Sequence, residues 1–181
     1  MLDPVRLLAR LALVLALLCW AKPLSAAGTS ESQLKAAFLY NFVQFVTWPA
    51  QALGEPNAPI VIGVMGSDPF GSDLEDVLGG QSVRGRKLIL RRFPSGGAAP
   101  SCHVLYISPS ETKNLSAILQ RVRGSPILTV GDGVDFARAG GIIGFYLQES
   151  RIRLAINSGA ASRAGLFVSS QLLKVALILK E

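Results

Sequence analysis

Histidine and cysteine are almost missing from this chain: 181 residues hold one His and two Cys. With His103 alone, a zinc site built on paired imidazoles cannot be assembled. Any Ser-His-Asp or Cys-His arrangement would have to use the same residue, and no G-x-S-x-G elbow exists to partner it. Cys102 and His103 are adjacent at the start of an expected strand, where successive side chains point to opposite faces. They cannot act on each other, and His103 reads as a residue capping a strand end. Acidic clusters and a Walker A sequence are also missing. Gly131-Asp132-Gly133-Val134-Asp135 lacks the alternating core of a calcium loop and reads as a turn whose aspartates cap. Gly140-Gly141-Ile142-Ile143-Gly144 leads into a strand, so it is not a dinucleotide fingerprint. No catalytic residues, metal ligands or cofactor site are expected, and no enzyme.

Charge is scarce too. Asp, Glu, Lys and Arg make up 17% of residues and mean hydropathy is +0.41. Part of that hydropathy belongs to the N-terminus, where Arg6 and Arg10 precede the apolar run Leu11–Leu18, then Pro23 and the small residues Ser25, Ala26 and Ala27. The run falls well short of the ~20 residues that span a bilayer. Its layout is that of a secretory signal peptide, residues 1–27, with the cut expected after Ala27. Cys19 does not read as a lipid-attachment site, because bulky Leu18 precedes it. Removing Arg6, Arg10, Lys22 and Asp3 lowers the formal charge from +6 to +4. Such an exported, mildly basic protein gives no reason to expect nucleic acid. Cys102 would then be the only thiol left, a buried and inert one.

Residues 28–181 form a single domain by length. Ser30 and Gln33 make a capping-box pattern ahead of a helix expected to run to Trp48, before Pro49. Leu34, Phe38, Phe42, Phe45 and Trp48 lie on one of its faces, and Leu39, Val43 and Val46 on another, so the helix should be covered nearly all round. Ile60–Val64, Val104–Ile107 and Ile127–Val130 are short apolar runs without alternation. These fit interior strands of a parallel sheet. Ser72–Leu78 and Glu111–Val122 are helical candidates between them. Ile142–Leu147 and Arg151–Ile156 read as a hairpin joined by Gln148-Glu149-Ser150, and Ala160–Leu179 reads as one long helix. The class is α/β: a three-layer single domain with a mixed, partly parallel sheet flanked by helices and an antiparallel C-terminal hairpin.

Two surfaces invite partners. Val83–Phe93 reads as a strand carrying Arg84, Arg86, Lys87, Arg91 and Arg92, with no acidic residue between Asp76 and Glu111. It is either a site for an acidic partner, ligand or headgroup or an edge strand protected by charge. On the C-terminal helix, Phe167 and Ile178 fall within the polar face beside Lys174. That pattern suits a rimmed contact for a partner or a second copy of the chain.

Four segments together resemble the YfiR-like family of periplasmic proteins: Lys35–Pro49 (KAAFLYNFVQFVTWP), Ile127–Val130 leading to Gly140-Gly141-Ile142, Arg151–Asn157 (RIRLAIN) and Ala164–Lys174 (AGLFVSSQLLK). The resemblance implies a small periplasmic α/β protein without catalytic activity. Its best-understood members repress an inner-membrane diguanylate cyclase by binding its periplasmic domain. An outer-membrane lipoprotein or redox stress relieves them, which tunes cyclic-di-GMP, biofilm formation and motility. Other members accompany sensor kinases or outer-membrane receptors, which leaves a second expectation: a small-molecule sensor, with ligand at the C-terminal ends of the parallel strands. Gly66–Phe70, Ser108–Glu111 and Gly131–Asp135 would line that site. Some members also tie the strand holding Cys102 to the strand near Gly63 by a disulfide. Here Gly63 stands in that strand and offers Cys102 no partner for such a bond.

Overall fold

The structure is a computed structural model that describes residues 30–97 and 101–179. The expected signal peptide and its cleavage point lie outside them. Helix α1 (Glu31–Phe45) begins as its sequence requires: Ser30 Oγ accepts from Gln33 N–H, and Gln33 Oε1 accepts from Ser30 N–H, both at 3.1 Å. It ends three residues before Trp48. Val46 and Thr47 (β1) are extended and pair antiparallel with Phe167 and Val168 (β9). A β-branched pair with a partner strand available leaves the helix early, so strand pairing rather than Pro49 terminates it.

The central sheet follows from three strands without polar alternation: β2 (Ile60–Met65), β5 (Val104–Ile107) and β6 (Leu128–Asp132). Around them lie β3 (Ser82–Val83), β4 (Arg86–Phe93), β7 (Ile143–Gln148), β8 (Arg151–Asn157) and β10 (Ala176–Leu179). The eight strands run β10-β8-β7-β6-β5-β2-β4-β3 across the sheet. Strands β4, β2, β5, β6 and β7 are mutually parallel, β8 returns antiparallel to β7, and β10 lies parallel to β8. Taken in chain order, the parallel set reads 2-1-3-4-5, the doubly wound arrangement whose order reverses between its first and third strands.

Alternate residues of these strands feed two cores. Ile60, Ile62, Val64, Val104, Tyr106, Leu128 and Val130 join α1, α2 (Asp73–Leu78) and α5 (Ser158–Arg163) on one face. Val61, Met65, Leu105 and Ile107 join α3 (Leu115–Val122) and Phe136 of α4 (Val134–Arg138) on the other. This is the expected three-layer α/β domain. Phe136 also explains the glycines nearby: its ring occupies the places where side chains on Gly131 and Gly141 would stand.

Two expected elements are divided. The strand over Val83–Phe93 turns at Arg84-Gly85, both with positive φ (51° and 78°), and becomes the β3–β4 hairpin. The long C-terminal helix does not form. Helix α5 stops at Arg163, Gly165 takes φ 68°, and its N–H closes on Ser162 O while Leu166 N–H closes on Ala161 O. A glycine in that left-handed geometry is a helix stop. The chain continues as β9, the short α6 (Ser170–Leu173) capped by Ser169, and β10.

Candidate functional site

The carboxyl ends of β6 and β7 meet the first turn of α1. Lys35, opposite the end of β6, places Nζ 2.7 Å from both Asp132 Oδ1 and Glu31 Oε1. Asp132 accepts a second bond from the hydroxyl of Tyr106, at 2.6 Å. Lys35 is largely covered and also stands 5.9 Å from the Phe145 ring centre, a cation–π contact. Burial by itself would lower the Lys35 pKa, but bonds to Asp132 and Glu31 outweigh it and the value rises. Burial drives the Tyr106 hydroxyl far above its ordinary range, and its bond to Asp132 adds to that. Neither group exchanges protons near neutrality.

A groove of about 380 Å³ opens beside this cluster, lined among others by Glu31, Lys35, Asp132, Phe145, Leu147 and Ile152. Its wall is an aromatic and aliphatic surface with two carboxylates and one ammonium at the edge. That chemistry can hold a ligand or a partner side chain. No group of three or more potential metal ligands occurs among the described residues.

The turns expected to line a ligand crevice are laced to one another instead. Ser67 N–H donates to Ser110 Oγ at 2.9 Å, and Gly66 N–H to Phe93 O at 3.2 Å. Glu111, fully buried, accepts from Gly96 N–H at 3.2 Å and from Asn114 Nδ2 at 3.1 Å. Its Cγ stands 2.9 Å from the place where a side chain on Gly66 would begin. Of the three turns, Gly131–Asp135 contributes Asp132 and Gly133 to the groove. The Lys35–Asp132–Tyr106 cluster itself escaped sequence reasoning. Only the Glu31–Lys35 spacing of four residues on a helix hinted at part of it.

The two residues with reactive side chains are held by structure. His103 Nδ1 accepts from Val61 N–H at 2.9 Å, which fixes its hydrogen on Nε2, facing Ala52 O at 3.1 Å. Burial lowers its pKa, helped by the Arg86 charge, so the ring is neutral. Cys102 belongs to the opposite core, and burial pushes its thiol up to about 12 despite the Arg91 charge.

The sequence-predicted contact residues do not form one surface. Phe167 lies in β9 and is 71% exposed, while Ile178 lies in β10, in register with Ile156 and packed against the core. The helical line that joined them does not exist. Lys174 is exposed at the C-cap of α6. On the basic strand, Arg86 is a staple: its Nη1 donates at 2.8 Å to each of Leu53 O, Glu55 O and Ala58 O. Arg92 is bound by Asp68 and Glu75, both at 2.6 Å. Arg84 donates to Gln44 O at 3.2 Å. Lys87 and Arg91 are exposed. Beyond Lys87, no described strand pairs with the outer side of β4, so the charge lies on a sheet edge.

A family model described as YfiR/HmsC-like matches residues 32–177, from the first turn of α1 into β10. The chain belongs to the YfiR/HmsC-like family. That family is known for periplasmic regulators of diguanylate cyclases, regulatory proteins rather than enzymes. No curated protein matches the chain. Among solved structures, a conserved domain protein from Vibrio cholerae O1 biovar eltor shares the fold with a TM-score of 0.56 and 13% identity, over 84% of this chain. The chain spans 60% of that protein's length. No helix among the described residues is long and apolar enough to cross a membrane.

Proposed function

We propose that this YfiR/HmsC-like protein is a periplasmic regulatory binding protein that represses an inner-membrane diguanylate cyclase. The observation that carries this reading is the family match over residues 32–177. The fixed states of His103 and Cys102 support it, because the two side chains best suited to chemistry serve packing and strand capping. The partner is the periplasmic domain of that membrane enzyme, and an outer-membrane lipoprotein would relieve the repression. The C-terminal segment supplies the contact: Phe167, Val175 and Leu177 are exposed apolar residues, Lys174 is beside Val175, and β10 is the outermost strand of the sheet. An outer strand with exposed apolar side chains invites pairing. Deleting the gene should raise cellular cyclic-di-GMP and biofilm mass, and a plasmid copy should restore both. Unchanged cyclic-di-GMP across growth conditions would reject the proposal.

The groove at Asp132 favours a second reading: a small-molecule-sensing accessory of a sensor kinase or outer-membrane receptor. A ligand against Phe145 and Ile152 would press on α1 and β7 together. A thermal-shift screen of periplasmic metabolites separates the readings. A stabilising hit lost in Lys35→Ala supports sensing, and no hit removes it.

A further inference from the structure

The opposite end of the sheet holds a second cavity, about 320 Å³, at the amino ends of β6 and β7 between α3 and α5. This is near the low end of the roughly 300–1,000 Å³ seen for small-ligand pockets. Its floor is apolar and buried, formed by Leu119, Val122, Ile127, Ile142, Ala160 and Ala164. Three guanidinium groups, of Arg123, Arg138 and Arg163, come to its lining from three different helices or their ends, and no Asp or Glu is among the lining residues. Arg138 pairs with Asp135 at 3.0 Å, with both side chains exposed. Such a pair holds its partner weakly. Inside the pocket, Thr129 is 3% exposed. Its hydroxyl accepts from Ile142 N–H at 3.0 Å, while its own hydrogen meets no acceptor among the described residues.

We infer that this cavity binds a small organic carboxylate, with the carboxylate on the arginines and Thr129 and an apolar body on the floor. Guanidinium groups bind carboxylates through paired, charge-assisted bonds. A buried hydroxyl with a free hydrogen offers one more donor. The apolar floor distinguishes the ligand from inorganic anions, which gain nothing by covering Val122 or Ile142. The site lies at the other end of β6 and β7 from the Asp132 groove, and it does not rest on the proposed repression.

Amide chemical-shift titration of the purified protein tests it with three probes: benzoate, benzyl alcohol and inorganic phosphate. Benzoate should give saturable shifts at Thr129, Gly140, Ile142 and Ala164. Benzyl alcohol, which lacks the charge, and phosphate, which lacks the apolar body, should each bind at least tenfold more weakly. Arg123→Ala with Arg138→Ala should weaken benzoate at least tenfold with the remaining spectrum unchanged. Arg163→Ala, made separately, should do the same, so one misfolded variant does not decide the result. No saturable shift with benzoate overturns the inference. Equal binding of benzyl alcohol, of phosphate or by both variants overturns it as well.

Discussion

A Cβ built on Gly63 lies 3.3 Å from Cys102 Sγ, on the face of the sheet covered by α3. Half of a cross-strand cysteine pair is therefore present, and the other half is a hydrogen atom. The space is not empty, because Phe93 Cε2 lies 2.7 Å from the same point. Gly63→Cys should form a disulfide in air once the Phe93 ring swings aside, since the sulfur lies within reach of the geometry such bonds need. Closing a loop of about 40 residues stabilises by up to about 4 kcal/mol in chain-entropy terms, less the strain at Phe93. Phe93→Leu added to Gly63→Cys should raise the denaturation midpoint further, and reduction should abolish the gain. If Gly63→Cys stays a free dithiol under oxidant, the placement of Cys102 is wrong.

The wild-type thiol should be unreactive for the same reason. With its pKa pushed to about 12 by burial, almost no thiolate exists at neutral pH. Native protein should resist thiol reagents that label the unfolded chain at once. Fast native labelling would contradict the burial of Cys102.

His103 sets a pH dependence. Its pKa is depressed from the ordinary 6.5 in the folded protein, so the unfolded chain binds more protons as pH falls below that value. The stability contributed by neutral His103 is complete above about pH 6.5 and is lost as pH falls through the folded pKa. Protonation would put a hydrogen on Nδ1, against the Val61 N–H it now accepts from. Melting temperature should drop between pH 7.5 and 5.5, and His103→Gln should start lower but flatten that part of the curve. A curve of equal slope in the variant would assign the dependence to other groups.

Much of the fold was legible because most of its signals are local. The capping box at Ser30, the unalternating runs of β2, β5 and β6, and the hairpin over Gln148–Arg151 all carry their own chemistry. At that hairpin, Glu149 and Ser150 both adopt positive φ (51° and 59°), the primed turn that suits strand twist. The C-terminal segment departs from the expected helix because its apolar residues fit a strand as well as a helical wheel. The stop signal was Gly165, and Ser169 restarts a helix of a single turn. Here the glycine overrides the helical periodicity around it. The Asp132 cluster was illegible for another reason. Lys35, Tyr106 and Asp132 come from three elements, and only the strand order brings them together.

The Lys35–Asp132 pair should be a coupled unit rather than a surface decoration. Lys35 side-chain exposure is 13% and that of Asp132 27%, so solvent screens the pair only in part. Lys35→Met leaves Asp132 with the Tyr106 hydroxyl alone, and Asp132→Asn leaves Lys35 beside Glu31. A double-mutant cycle between them should give a coupling of roughly 0.5–3 kcal/mol in unfolding free energy. Additive single effects would mean that the pair is loose in solution.

Phe167 and Ile178, which sequence reasoning joined, should now behave differently. Phe167 is 71% exposed in a two-residue strand, so Phe167→Ala should change stability by no more than about 0.5 kcal/mol. If the cyclase domain docks on this segment, burial of that ring contributes roughly 1.5–3 kcal/mol. Its loss should therefore weaken association at least tenfold. Ile178 is half-buried, in register with Ile156 and packed on the core. Full core Ile→Ala changes cost about 2–5 kcal/mol, and this partly exposed site should lose roughly 1–2. Ile178→Ala should then lower the melting temperature while binding by the folded fraction persists. Denaturation and a pull-down with the periplasmic domain, run on each single variant, separate the two effects. Normal binding by folded Phe167→Ala would move the contact away from β9, and the exposed edge carrying Lys87 and Arg91 would be the next surface to substitute.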